Sequence, residues 1–309
     1  MSVIEVNNLT KDYGYGRGVF DVSFKIEKGE VFGFLGPNGA GKSTTIRHLM
    51  GFSKPQSGST KIFDKETFDN YHEILNNVGY IPGEIALPQG LTGYEFISMM
   101  QKMYGKKNDE MLNKMLNLFK LEDNVLKMET KRMSLGVKRK LAIVTAFMSD
   151  PDVLILDEPT SGLDPVMQEV FINFIKEEKM RGKTILLSSH IFSEVDATCD
   201  RICIIKDGKI VSSFIANDLK HATLKHYKIL FNELESFNDF KNNKPDFINI
   251  INEKIDNLQI NLVCEDKNIN DFIDYISNYK IKEFNNIKET LQDFFMKFYK
   301  ENKDFGGAL

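Results

Sequence analysis

An apolar run at 31–35 breaks into Gly36-Pro37-Asn38-Gly39-Ala40-Gly41-Lys42-Ser43, and this junction limits what the chain can become more than any other stretch. Two glycines with four residues between them are followed at once by Lys and Ser, the pattern of a phosphate-cradling P-loop. The glycines let backbone N–H groups curl around phosphate oxygens without a side-chain clash, and a helix starting here adds its positive end. Such a loop needs a strand before it and a helix after it. Residues 31–35 read as the strand, a short continuous run buried on both faces, and 44–50 as the helix. A glycine turn without function is the competing reading, and that placement argues against it. Lys42 is then expected on the β- and γ-phosphates of a nucleotide, with the Ser43 hydroxyl on magnesium.

A second apolar run, 153–156, delivers Asp157 and Glu158 at its end. Ligands bind at the C-terminal edge of parallel sheets. Asp157 suits magnesium coordination, and Glu158 suits polarising an attacking water. Alone, an acidic strand end facing solvent is an equal reading; the P-loop upstream decides between them. A third run, 185–187, leads to His190. A lone histidine is usually packed or superficial, and only its place at the same edge makes it a contact to the γ-phosphate and the attacking water.

Between the second and third runs lies a helix with Asp164 at the cap, Pro165 in the first turn and Gly182 past the end. Val166, Val170, Phe171, Phe174 and Ile175 are expected on one face of it. Strand–helix–strand order implies a parallel α/β core. Residues 19–27 alternate, with Phe20, Val22, Phe24 and Ile26 apolar, as in a half-buried antiparallel strand. About 91–149 reads as a helical subdomain, opened by a Thr92/Glu95 capping box and continued by a Leu112, Met115, Leu116, Phe119 stripe. Asp207-Gly208 predicts a two-residue hairpin. Composition shifts near Lys220, so the expected domains are 1–219 and 220–309. In the tail, 227–231 and 258–263 read as strands, and 270–277 and 290–299 as helices. The stripe Leu291, Phe294, Phe295, Phe298 reads first as the core of a small α+β domain, then as a partner contact, and last as a membrane-surface face.

The chain has 309 residues, enough for one large domain and a small one. Its 40 basic and 44 acidic residues, net −4, offer no basic footprint, so no nucleic-acid partner is expected. Cys199, Cys203 and Cys264 are too few and too irregular for a disulfide framework or a zinc site, and read as reduced thiols. The N-terminal MSVIEVNNLTKDYG lacks a signal-peptide core. No stretch approaches the ~20 apolar residues of a membrane span. Any membrane role is therefore expected to run through a partner.

The order GPNGAGKST, MSLGVKRK, VLILDEPTSGLDP, LLSSH resembles the ATP-binding subunits of ABC transporters, over about residues 4–213. The resemblance implies an α/β fold: a P-loop ATPase core with a mixed sheet, an antiparallel β subdomain and a helical subdomain, followed here by the small α+β domain. It implies an ATP cradle from Gly36 to Thr44, hydrolysis of ATP to ADP and phosphate with magnesium, and Lys42, Glu158 and His190 as the catalytic set. By the same resemblance Ser134 and Gly136 belong to the signature motif that completes the ATP site of an opposite subunit. Asp164 is the D-loop aspartate, and Tyr13 stacks on adenine unless it is simply a surface tyrosine. Two partners are implied: a separate transmembrane permease, and a second ATP-binding subunit, identical or related. The place implied is the cytoplasmic face of the cell membrane.

Two positions depart from the family pattern. Met133-Ser134-Leu135-Gly136-Val137 stands where Leu-Ser-Gly-Gly-Gln is usual, and Gly83-Glu84 follows Tyr80-Ile81-Pro82 where a glutamine is usual. Glu84 either takes over part of that glutamine's contact to magnesium, or the loop serves only coupling to the membrane partner. The tail ending LQDFFMKFYK resembles drug, peptide or polysaccharide exporters. The alternatives are a soluble ABC-type switch acting on the ribosome or chromosome, and a P-loop kinase. The first usually carries two modules or long coiled coils, and the second leaves DEPTSGLDP unexplained.

Overall fold

The structure, a computed structural model, describes residues 1–220 and 224–287 together with Leu291, Gln292, Phe295 and Met296. The chain divides into two compact units, Met1–Ala216 and Asn217–Leu309.

The first unit opens with β1 (Ser2–Asp12) and β2 (Gly18–Glu27), an antiparallel hairpin, followed by β3 (Val31–Leu35) and α1 (Lys42–Leu49). Next come β4 (Ser57–Ile62), β5 (Lys65–Glu66), α2 (Thr67–Ile74) and β6 (Val78–Ile81). A helical stretch holds α3 (Gly93–Tyr104), α4 (Asp109–Leu118), α5 (Asp123–Leu126) and α6 (Leu135–Phe147). The unit closes with β7 (Val153–Asp157), α7 (Pro165–Met180), β8 (Thr184–Ser189), α8 (Phe192–Thr198), β9 (Arg201–Lys206) and β10 (Lys209–Ile215).

Two sheets result. One is antiparallel, in the order β2-β1-β4-β5; the other is mixed, in the order β10-β9-β3-β8-β7-β6, antiparallel at β10–β9 and parallel elsewhere. This is the α/β architecture expected from the sequence. Every residue of β3, β7 and β8 is buried, so their continuous apolar runs reflect cover on both faces. Val22, Phe24 and Ile26 share one core with Phe32, Phe34 and Ile155, and Phe24 stacks on Phe32 at 5.1 Å.

Local chemistry sets the ends of these elements. The Thr92/Glu95 capping box is formed, and the Asp164 carboxylate accepts the Met167 N–H at 3.0 Å. Asp207 and Gly208 both take positive φ, the requirement of a tight hairpin turn. Two expectations need correction. Val166 is 63% exposed, because the buried face of α7 is Met167, Phe171, Phe174, Ile175 and Glu178, and adjacent helical positions differ by about 100°. In β2 the alternation fails at Asp21, whose φ is +56° and whose carboxylate accepts from the Asn8 amide at 2.6 Å, Asn8 itself taking φ +47°. That irregularity buries Val19 and leaves Phe20 half-exposed.

Helix α9 (Ala216–Lys220) crosses into the second unit. There β11 (Leu224–Phe231), α10 (Leu234–Asn243), β12 (Ile248–Lys254), β13 (Gln259–Glu265), α11 (Ile269–Ile276) and β14 (Ile281–Ile287) follow. The strands pair antiparallel as β12-β13-β11-β14, over a core that includes Ile229, Phe237, Phe240, Leu262 and Phe272. Helix α10 and strands β12 and β14 escape the sequence reading. A bulge between Ile250 and Asn252 breaks the period of β12, and β14 is exposed along most of its length. The helix expected at 290–299 lies mostly outside the described residues. Of its stripe, Leu291 and Phe295 are buried, while Phe294 and Phe298 fall outside.

Candidate functional site

The order β3, β8, β7, β6 aligns four strand ends, and the register sets their depth: Leu35 lies opposite Ser189, Asp157 opposite Ser188, and Leu156 opposite Ile81. The residues just beyond these ends include Gly36, His190, Glu158 and Pro82. Segments far apart in sequence therefore converge on the edge where parallel sheets bind ligands.

The P-loop turns into α1 at Gly41, the N-cap, with φ +110°. A Cβ there would approach Val19 Cγ1 to 2.8 Å, so the position requires glycine on two counts. Lys42 is 5% exposed. Its Nζ donates to the Gly36 carbonyl at 2.7 Å and the Pro37 carbonyl at 3.2 Å. The same ammonium lies 3.1 Å from Glu158 Oε1 as an ion pair without hydrogen-bond geometry, so that buried oxygen keeps an unused acceptor. A cavity of about 140 Å³ opens here, lined by Pro37, Asn38, Ser43, Thr44 and Glu158 among others.

Glu158 is held on a strained backbone, φ +49°, by its N–H donating to the Ser188 carbonyl at 2.9 Å. Its Oε2 meets His190 Nδ1 at 2.6 Å. A carboxylate only accepts, so Nδ1 carries the proton in this pair and Nε2 is left for another partner. Asp157 is 2% exposed and accepts from the Ser188 hydroxyl. Together with Ser43 it offers hard oxygen donors. These suit magnesium that keeps phosphate and water ligands, and no cage of three or more His, Cys, Asp or Glu side chains exists among the described residues. The donor set fits the metal.

The remaining expected residues lie elsewhere. Ser134 caps α6, accepting the Val137 N–H at 3.3 Å, and is exposed; neither it nor Gly136 lines the P-loop cavity. Leu135, the bulky departure in this motif, is 56% exposed and lies over Gly162. Tyr13 is 54% exposed in the β1–β2 turn with the Lys11 ammonium 5.7 Å from its ring, an exposure common to both readings of it. Glu84 is exposed, and the residue facing Asp157 is its neighbour: a Cβ on Gly83 would lie 3.0 Å from Asp157 Oδ2.

Two buried charges escaped the sequence reading. Arg139 looks like part of a solvated basic run. Glu194, 2% exposed, accepts from the Ser189 hydroxyl at 2.7 Å, and its other oxygen has no hydrogen-bond partner. Burial, partly offset by that bond, pushes its carboxyl up to about 7. From sequence it resembles an ordinary acidic residue in a first helical turn.

The family model described as ABC transporter matches residues 19–161. The chain is 37% identical over 229 residues to the bacitracin transport ATP-binding protein BcrA of Bacillus licheniformis, covering 73% of this chain and 74% of that one. It is 34% identical over 212 residues to the Nod factor export ATP-binding protein I of Burkholderia orbicola, covering 68% and 69%. A solved structure of an ATP-binding subunit of an ABC transporter superposes with a TM-score of 0.65 at 32% identity, over 71% of this chain and 92% of that one. These relatives favour the transporter reading over the ribosome-acting switch. The chain belongs to the ATP-binding subunits of ABC transporters and is an ATPase.

Proposed function

We propose, from that membership, that the chain powers export through a separate membrane permease as one of two ATP-binding subunits that close head to tail on ATP. Nod factor export, the role named for one of these relatives, supports the direction. No helix among the described residues is long and apolar enough to cross a membrane. The proposed place is the cytoplasmic face, with the permease as anchor.

In this reading the loop from Gly36 to Thr44 takes the phosphates, and Lys42 leaves Glu158 for the β- and γ-oxygens. Ser43 and Asp157 would hold magnesium, which would neutralise phosphate charge. Glu158 Oε1 then accepts a hydrogen bond from water, while His190 steadies Oε2 through Nδ1 and turns Nε2 toward the γ-phosphate. Ser134 and Gly136 of a second subunit close the site, Asp164 lies at the junction, and Tyr13 stacks on the base.

The observation that carries this reading is Glu158 held between Lys42 and His190 with one buried oxygen unused. Glu158→Gln is expected to lower kcat about a thousandfold while retaining ATP binding, the scale of a lost general base. Light scattering should show an ATP-dependent dimer of this variant. Wild-type turnover, or a monomer at saturating ATP, overturns the reading. A multi-span permease should co-purify after gentle detergent extraction.

A further inference from the structure

Arg139 is the largest fully buried side chain among the described residues, and it sits one turn into the helix that Ser134 caps. Its Nε donates to the Ser161 carbonyl at 2.9 Å, Nη1 to the Pro82 carbonyl at 2.8 Å, and Nη2 to the Gly83 carbonyl at 2.7 Å. Among the described residues no carboxylate forms a direct ion pair with it. Burial draws its pKa down, and the fields of Asp157 and Glu158 oppose that. A guanidinium held this way is costly, and it persists because a planar fork satisfies three carbonyls at once.

Those carbonyls belong to the segments that follow β6 and β7, on either side of the carboxylates. The Gly83 carbonyl is fixed by Arg139, and the same residue abuts Asp157 so closely that a Cβ would stand 3.0 Å from Oδ2. Gly83 therefore approaches the carboxylate with backbone and no side chain. On the other side, the Ser161 N–H donates to the Glu158 carbonyl at 3.1 Å, and Gly162 lies under Leu135.

We propose that Arg139 is a positioning residue for hydrolysis, passing the position of the Ser134 end of α6 to the backbone around Asp157 and Glu158. The inference rests on the ATPase reading above. A lysine at the same place keeps the charge but loses the planar fork, so it cannot span the same carbonyls.

The test compares Arg139→Met, which keeps bulk, Arg139→Lys, which keeps charge, Gly83→Ala, and Arg139→Met combined with Gly83→Ala. Wild type and Glu158→Gln run alongside, so failure of the ATPase reading itself shows separately as wild-type turnover that survives Glu158→Gln. In both Arg139 single variants kcat should fall about ten- to a hundredfold, the usual effect of removing a supporting hydrogen bond. KM for ATP should stay within about twofold, since the P-loop is untouched. Amide exchange over residues 82–88 should quicken in the nucleotide-free protein, and the double variant should lose less than the sum of its parts. Arg139→Met that melts earlier yet keeps its kcat overturns the proposal, as does Arg139→Lys with wild-type kcat. If Arg139→Met does not fold, Arg139→Lys decides by the same measurements.

Discussion

The end of β7 and the start of α6 meet solvent on opposite terms. Around β7 the charged groups are already partnered: Lys42 with loop carbonyls and Glu158, Asp157 with Ser188, Glu158 with His190. At α6 the Ser134 hydroxyl caps only its own helix, accepting the Val137 N–H, and stands exposed. One region is organised before any ligand arrives; the other is unfinished. An organised site loses much from one changed atom, because its groups act together in low dielectric. An unfinished one loses only when the surface it completes is present.

At the organised edge the contrast is tested at His190. His190→Ala should lower kcat about a hundredfold, since Glu158 Oε2 loses its donor and the γ-phosphate a contact. Steady-state hydrolysis measures it, and wild-type kcat would dissolve the claim that this edge is preorganised.

A mixing experiment probes the unfinished region. Ser134→Arg and Glu158→Gln should each be inactive alone. Mixed in equal amounts they should recover about a quarter of wild-type turnover, because half of the dimers are mixed and each keeps one intact site. If Ser134 served the P-loop of its own chain, mixing would restore nothing.

The smallest effect concerns stability and belongs to the β8 side alone. Glu194 has a folded-state pKa of about 7 against 4.5 when free. An acid raised on folding binds more protons folded than unfolded between those values. Stability from this group is therefore highest below pH 4.5, declines up to about pH 7, and is level beyond. The span is on the order of 3 kcal/mol. Glu194→Gln should flatten that decline when melting temperatures of the two proteins are compared across pH. A parallel decline in both would show that Glu194 does not titrate as its burial demands.

Much of the first region was legible along the chain because its cues are local. Residues 31–35, 153–156 and 185–187 declared buried strands by unbroken apolar runs, and Asp164, Thr92 and Asp207-Gly208 marked their caps and turn by chemistry that acts within four residues. The second unit was less legible where local period and burial disagree, as in the bulged β12 and the exposed β14.

Sequence alone determined that a phosphate cradle, two carboxylates and a histidine end three strands of this chain, since glycine spacing and apolar runs suffice for that. Tertiary structure alone decided that Glu158 links Lys42 to His190, that Gly83 packs beside Asp157 with no room for a side chain between them, and that Arg139 leaves its basic neighbours to bind three backbone carbonyls. The physical reason is the same in each case. Desolvated charge is governed by partners brought close by folding, and nothing in a run such as Val137-Lys138-Arg139-Lys140 tells which cation water will lose.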